Sequence, residues 1–496
     1  MRSKSLVRQV DAIPHAASLI EGLRDFGYSL ETSLADIIDN SITAGATRVD
    51  ISADTASDLP WIALVDNGIG MTEAELIEAM RPGSRNPRDE RGSRDLGRFG
   101  LGLKSASFAQ CRNLTVFTVK GGEKACASWD LDSVSARNTW QIDLHDDPDL
   151  PDLPLPERQG TVILWRKLDR LDGGYTHSVS DRSAVMNSAL AIAEQHIRLV
   201  FHRFLEGSPP RLSIYLNNRN LKPIDPFAED NSATQFDPPD DLQLAKGLIA
   251  IRSVTLPHYK KMTEAAWKEI AGPEGHLKSQ GLYIYRADRL IIAGGWLGLT
   301  AQTELTKLCR VKVDIPNTMD AEWKIDVKKA SAQLPPVVRK RLQKVIERFV
   351  TTSKRTYVHK GKKLVEADRM PMWSRFQKDS AITFRPNFEH PVFREFRDRL
   401  PADLRTDFRN CLALLGATLP IESLLADLLG GAEKVKADSV EAEALRQHIE
   451  ALVASVLEQG VPAGNVEAVL ANVDLLKANW AEAKIIIEDL IQENNI

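Results

Sequence analysis

Gly97-Arg-Phe-Gly-Leu-Gly-Leu-Lys-Ser105 sets three glycines directly ahead of an apolar helix start. Backbone N–H groups in such a run converge on one point, and the dipole of the following helix adds positive potential there. That arrangement suits a polyphosphate, with Lys104 supplying a full charge. Taken alone, a glycine loop of this spacing is weak evidence, so its neighbours decide the reading. Just upstream, Arg81 to Arg94 is rich in Gly, Ser, Arg and Asp and has no apolar periodicity, as expected of a lid that closes over a bound ligand.

Further upstream, Leu34-Ala-Asp-Ile-Ile-Asp-Asn-Ser41 reads as a helix in which Asp36 and Asn40 share one face while Ile37, Ile38 and Ile42 turn toward a core. Asn40 offers an uncharged oxygen to Mg²⁺, which prefers oxygen donors and keeps several waters. Asp36 is then placed to act as general base on an attacking water. The plain alternative is two polar residues on a solvated helix face.

Asp66-Asn67-Gly68-Ile69-Gly70-Met71 ends the apolar strand Trp61 to Val65 with a carboxylate able to accept a hydrogen bond from an adenine amino group. Gly68 and Gly70 let the backbone approach the base. By itself this is an ordinary hairpin turn. Gly160-Thr161 opens a later strand, and the four features together, in this order, are far less probable by accident than any one of them.

Around these motifs the chain reads as α+β. Helical spacing from Ala17 to Ala44 precedes strands at Arg48 to Ala53 and Trp61 to Val65. Further strands follow at 114–119, 126–131 and 160–165, with an acidic, proline-bearing loop from Asp143 to Glu157. A helical segment from Ser180 to Leu205 leads to a second strand series at Arg211 to Leu216, Leu248 to Leu256 and Gly281 to Ile292. Beyond Met370 the pattern is helical, and Trp373, Phe376, Phe384, Phe388, Phe393 and Phe396 are the expected core of that region.

At 496 residues several domains are expected, and 64 Lys+Arg against 68 Asp+Glu leaves net charge silent about nucleic acid. Cys111, Cys126, Cys309 and Cys411 are scattered, which excludes a disulfide framework or a thiolate metal site as the reading. His196 and His202, six apart, do not share a helix face as a metal pair would. The first residues carry no continuous apolar run, so a cytoplasmic protein without membrane attachment is expected.

The set of motifs resembles the GHKL superfamily, whose members share the Bergerat ATP-binding fold. The resemblance implies ATP and Mg²⁺ as ligands, Asp36 as general base and Asn40 as the Mg²⁺ ligand. It implies a nucleotide site of Asn40, Asp66, Gly68, Gly70, Met71, Gly97, Arg98, Phe99, Gly100, Leu101, Gly102, Leu103, Lys104 and Thr161. ATPase branches of the superfamily carry Glu where this chain has Asp36, whose carboxylate stands one methylene further from the water, so slow hydrolysis is expected.

The phosphate loop, with lysine and serine after the last glycine, is similar to the MORC version, and Gly281 to Ile291 looks like part of a ribosomal S5-like transducer domain, with Arg211 to Phe227 as its first hairpin. In transducers a lysine reaches the γ-phosphate. Lys328 and Lys329 are the catalytic candidates, with Lys324 a third. The domains implied are 1–180 for ATP, 181–350 for the transducer and 351–496 as a helical C-terminal domain.

By that resemblance, closest to prokaryotic MORC-like proteins linked to restriction-type defence, the protein is an ATP-dependent homodimer that clamps DNA, with chemistry on DNA left to a separate nuclease or methylase. Arg339, Lys340, Arg341 and Lys344 open a basic run from Val337 to Lys363 that can meet backbone phosphate, or be a solvated helix face. A non-hydrolysing scaffold and, lower in rank, a histidine-kinase-like phosphotransferase are the alternatives.

Overall fold

Apolar residues at helical spacing fold Ala16–Arg24 (α1) and Leu30–Thr43 (α2) ahead of the first strand. A capping pair starts α2, where the Ser29 N–H donates to Thr32 Oγ1 at 3.1 Å. In this computed structural model the described residues are 14–83, 102–171, 178–303, 306–323, 333–359, 371–378, 381–421, 423–424, 440–458, 460–471, 473, 475–476 and 479–493. The chain divides into two compact units, Met1–Lys354 and Arg355–Ile496.

The first unit is built on an eight-stranded sheet. Its strands are β1 (Arg48–Asp54), β2 (Trp61–Asp66), β3 (Asn113–Lys120), β4 (Glu123–Asp130), β5 (Asp143–Leu144), β6 (Gly160–Arg166), β7 (Ser213–Leu216) and β8 (Arg219–Asn220), in the order β5-β4-β3-β6-β2-β1-β7-β8. Every pairing is antiparallel except β1 with β7. Helices α3 (Glu73–Met80), α4 (Gly102–Phe108) and α5 (Leu131–Arg137) complete this part with the long α6 (Val179–Val200) and short α7 (His202–Leu205).

One face of the sheet packs against α1, α2 and α4, burying Leu34, Ile37, Ile38, Val49, Leu64, Phe108, Val116 and Trp165 in a common core. Complete burial of a side chain such as Ile38 stabilises the fold by about 1.5–3 kcal/mol. The strands expected at 114–119, 126–131 and 160–165 are present as β3, β4 and β6.

Two local expectations change. The β1–β2 hairpin closes through residues 55–60, not through Asp66-Asn67-Gly68. Asn67 instead ties the end of β2 back to the start of β1, its Oδ1 accepting the N–H groups of Thr47 and Arg48 at 2.9 Å each. The hairpin expected to open the second domain also lies elsewhere. Asn217 and Asn218 do form its left-handed turn, with φ of 45° and 65°, but β7 pairs with β1 and extends the first sheet. Its exposed backbone edge finds a partner there, and Ile214 joins the first core.

A second sheet follows within the same unit: β9 (Gln235–Phe236), β10 (Leu242–Leu244), β11 (Gly247–Thr255), β12 (Gly281–Arg286), β13 (Arg289–Ala293) and β14 (Cys309–Ile315). The main order is β10-β11-β14-β12-β13, with β12 and β14 parallel. Trp323, Val338, Leu342, Val345 and Ile346 pack on it, the last four from the helix Pro336–His359.

Polar contacts join α7 to the second sheet. His202 is hydrogen-bonded to Glu206 at 2.5 Å and to Tyr285 at 2.8 Å, so both ring nitrogens are engaged within the fold. Arg203 lies over the Tyr285 ring and pairs with Asp288 and Asp314.

The second unit differs from its expected all-helical form. Trp373–Lys378 and Ala381–Pro386 form an antiparallel hairpin. The aromatic cluster read as its core is mostly at the surface: Trp373, Phe384 and Phe396 are exposed, Phe388 and Phe393 are half-buried, and the Phe376 side chain lies outside the described residues. The core comes instead from aliphatic residues of 442–458, 463–470 and 480–493, including Leu445, Ile449, Leu452, Leu470 and Ile487. Helical periodicity places these on facing stripes, whereas the aromatics fall around two prolines and a hairpin that expose them. Among the described residues no helix is long and apolar enough to cross a membrane.

Candidate functional site

Asp66 ends β2 with its carboxylate turned inward and 6% exposed. Ser41 Oγ, from the last turns of α2, donates to Asp66 Oδ2 at 2.7 Å, and the Gly68 N–H donates to Oδ1 at 2.8 Å. Thr161 stands opposite Asp66 in the β2–β6 ladder. Burial raises the Asp66 carboxyl above the ordinary carboxylate range, and these hydrogen bonds oppose the rise without cancelling it.

The two glycines near Asp66 are required by protein packing. A Cβ on Gly68 would stand 2.8 Å from Ala44 Cβ, and one on Gly70, whose φ is +66°, only 1.9 Å from the Val119 carbonyl oxygen. Their freedom therefore brings the chain against α2 and β3, which a sequence reading of backbone approach to a ligand did not anticipate. Met71 follows with its N–H donated to Thr118 Oγ1 at 2.9 Å, and that hydroxyl in turn donates to the Gly160 carbonyl at 3.0 Å.

On α2, the residues from Ser33 to Asp39 are all buried, because the sheet covers one side of the helix and α4, α6 and β13 lie around it. Asp36 is 2% exposed and accepts from the Tyr28 hydroxyl through Oδ2 at 2.8 Å. A Cβ on Gly102, the first residue of α4, would lie 3.6 Å from that same oxygen, so the end of the glycine loop abuts the Asp36 carboxylate. Asn40, one turn further along α2, is exposed.

Asp39 has a different partner. It is fully buried, and Arg289 Nε, at the start of β13, donates to its carboxylate at 2.8 Å, while Arg289 Nη2 is 4.0 Å from Asp36 Oδ1. Lys104 is 2% exposed and donates to the Ala79 carbonyl at the end of α3, at 2.8 Å. Leu103 packs against the first core.

The structure thus sets Asp66 and Gly68 against the C-terminal end of α2, which also carries Asn40, and Gly102 against Asp36, links Gly70, Met71 and Thr161 to β3, and turns Lys104 toward α3 and Leu103 into the core. Gly97, Arg98, Phe99, Gly100 and Leu101 lie outside the described residues, as do Lys324, Lys328 and Lys329 and most of the expected lid. Sequence reasoning missed Ser41, Tyr28, Thr118 and Arg289. A serine next to Asn40 carried a weak signal; the other three carried none, since their partners are set by tertiary contact.

Residues 28–158 match the family model described as histidine kinase-, DNA gyrase B- and HSP90-like ATPase. They form a GHKL-type, MORC-like ATPase domain. Over 97 residues the chain is 36% identical to the ATPase MORC2B of Mus musculus, covering 19% of this chain and 9% of that protein. Over 97 residues it is 32% identical to the ATPase MORC2 of Homo sapiens, again 9% of that protein. The ATPase morc-1 of Caenorhabditis elegans is 31% identical over 91 residues, 10% of its length. The matched region thus spans about a tenth of these relatives.

The four basic residues considered for DNA divide in two. Arg341 pairs with Asp240 at 2.5 Å, and Arg339 donates to the Leu297 carbonyl at 3.3 Å, so both tie their helix to the second sheet. Lys340 and Lys344 are exposed.

Proposed function

We propose that the GHKL domain binds ATP and hydrolyses it slowly, and that the chain uses this cycle as a dimeric clamp on DNA. The reading rests above all on Asp66, a buried carboxylate held by Ser41 and Gly68 and kept in place opposite Thr161. Burying this acid costs stability even with its oxygens held, and accepting from an adenine amino group is a role that its geometry suits.

Asp36 is the general base in this scheme, since Tyr28 and Gly102 border its Oδ2 while Asp39 is committed to Arg289. The exposed oxygen of Asn40, one helical turn from Asp36, fits Mg²⁺, a hard cation that takes oxygen donors. Asn40 would hold the ion, which when bound offsets phosphate charge. Gly97 to Lys104 would cradle the phosphates, and Lys328 or Lys329 from a transducer-type second domain would carry the nucleotide state onward.

The DNA part is supported by the exposed Lys340 and Lys344 alone among the four basic candidates, and the defence setting by resemblance only. A second reading, an ATP-dependent scaffold without turnover, is favoured by the shorter Asp36 side chain and its engagement by Tyr28 and Arg289. Phosphate release by the purified chain with Mg·ATP, against the Asp36→Ala, Asn40→Ala double variant, separates the two. Equal rates would leave the scaffold standing. Sizing with a non-hydrolysable ATP analogue tests the clamp, and an unchanged oligomeric state would remove it.

A further inference from the structure

We infer that Arg289 is a positioning residue for Asp36, and through it makes turnover at the nucleotide site depend on the docking of the second sheet. The inference rests on the proposal that Asp36 is the general base. Arg289 starts β13, 250 residues from Asp39, and is 3% exposed. Its guanidinium is shared unequally between two carboxylates of α2: Nε holds Asp39 at 2.8 Å, and Nη2 stands 4.0 Å from Asp36 Oδ1.

The other Asp36 oxygen is fixed independently by the Tyr28 hydroxyl at 2.8 Å and borders Gly102. One carboxylate therefore has a side facing the second sheet and a side facing the end of the glycine loop. Tyr28 and Arg289 together set the orientation of its plane, and a base must be held to well within an ångström to act on a water.

The hairpin carrying Arg289 is itself held. Ala287 and Asp288 form its turn with φ of 47° and 66°, and Asp288 pairs with Arg203 and with Arg211 at 3.2 and 3.0 Å. The guanidinium also lies 5.7 Å from the Phe201 ring. A rigid turn clamped to the segment that follows α6 thus delivers one cation between α2 and α6. If the hairpin withdraws, Asp39 is left buried without this cation and Asp36 loses the guanidinium beside its Oδ1.

The test separates positioning from stability. Removing Arg289 alone strands a buried charge and can unfold the domain, so the informative variant is Arg289→Met combined with Asp39→Leu, which replaces the pair by apolar groups of similar size. Arg289→Lys, which keeps the charge but not the fork, is its companion. Mg·ATP affinity, KM, kcat and the thermal midpoint are measured for the full chain.

The expected result is a double variant with the wild-type melting midpoint, ATP affinity within threefold and kcat at least tenfold lower, and a lysine variant with intermediate kcat. Wild-type kcat in the well-folded double variant would overturn the inference, leaving Arg289 a structural tie. Wild-type protein that binds Mg·ATP but releases no phosphate above Asp36→Ala would instead overturn the base assignment, and this inference with it. Turnover in the wild type with loss only of affinity in the double variant would refute positioning while sparing the ATPase reading.

Discussion

Ser41 and Asp66 lie 25 residues apart in the chain and 2.7 Å apart in the fold, the hydroxyl of one donating to the carboxylate of the other. The contact locks the end of α2 to the end of β2, so the helix bearing Asp36 and Asn40 and the strand bearing Asp66 move as one piece. A nucleotide bound across them would meet a preformed surface.

Asp66 is held at the expense of stability. Its folded-state carboxyl is raised by burial, so the favourable contribution of the protonated form is present below the ordinary carboxylate range and is lost as pH rises through the raised folded value. Asp66→Asn keeps the shape without the buried charge. The variant is expected to melt at or above the wild-type midpoint at pH 7–8, an advantage that shrinks toward pH 4. Its ATP affinity should fall by about tenfold to a hundredfold, the worth of one charge-assisted hydrogen bond. Differential scanning calorimetry and equilibrium dialysis read the two effects.

Asp36→Asn tests chemistry apart from binding. The amide keeps the size of the side chain and can still accept from Tyr28, but it cannot take a proton. Single-turnover phosphate release is expected to drop by about 10²–10⁴, the usual contribution of a general base, with nucleotide affinity within a few-fold of wild type. Parallel loss of affinity would assign Asp36 to binding instead.

Gly70→Ala tests the packing account of the glycines. A methyl group there would stand 1.9 Å from the Val119 carbonyl oxygen at a φ of +66°, so the turn or β3 must shift. A loss of about 3 kcal/mol in urea unfolding is expected, at the upper end of ordinary single substitutions. Near-wild-type stability would mean the turn has more room than its geometry shows.

Lys340→Gln with Lys344→Gln separates DNA contact from structure on one helix. The pair is exposed, so stability should hold, while DNA affinity falls and the slope of log affinity against log salt drops by about 2, one unit per lost phosphate contact. Arg341→Gln should do the reverse, weakening the fold by about 1 kcal/mol through the loss of its Asp240 partner and leaving the salt slope alone. An unaltered slope in the lysine variant would remove this face from the DNA model.

Local rules carried the sequence a long way around the nucleotide site. Asp36 and Asn40 are one helical turn apart whatever the helix packs against, and β2 runs into Asp66 through a continuous stretch of buried apolar residues. The same rules failed where two segments competed for one partner. Nothing in Ser213–Leu216 says whether it pairs within its own domain or with β1, and Phe384 or Trp373 is as apolar in an exposed hairpin as in a core.

By itself the sequence determined the residue types of the site, their order, and the helix and strand that carry them, because i to i+4 spacing is a property of the helical backbone and a short apolar run ended by a turn signal marks a buried strand. Tertiary structure alone decided how the surroundings of the two α2 carboxylates differ. Asp36 and Asp39 are chemically identical and three residues apart, yet one borders Gly102 while the other is closed off by Arg289 arriving from 250 residues away. The physical reason is that burying a carboxylate requires a counter-charge, and where that charge comes from depends on how the second sheet docks.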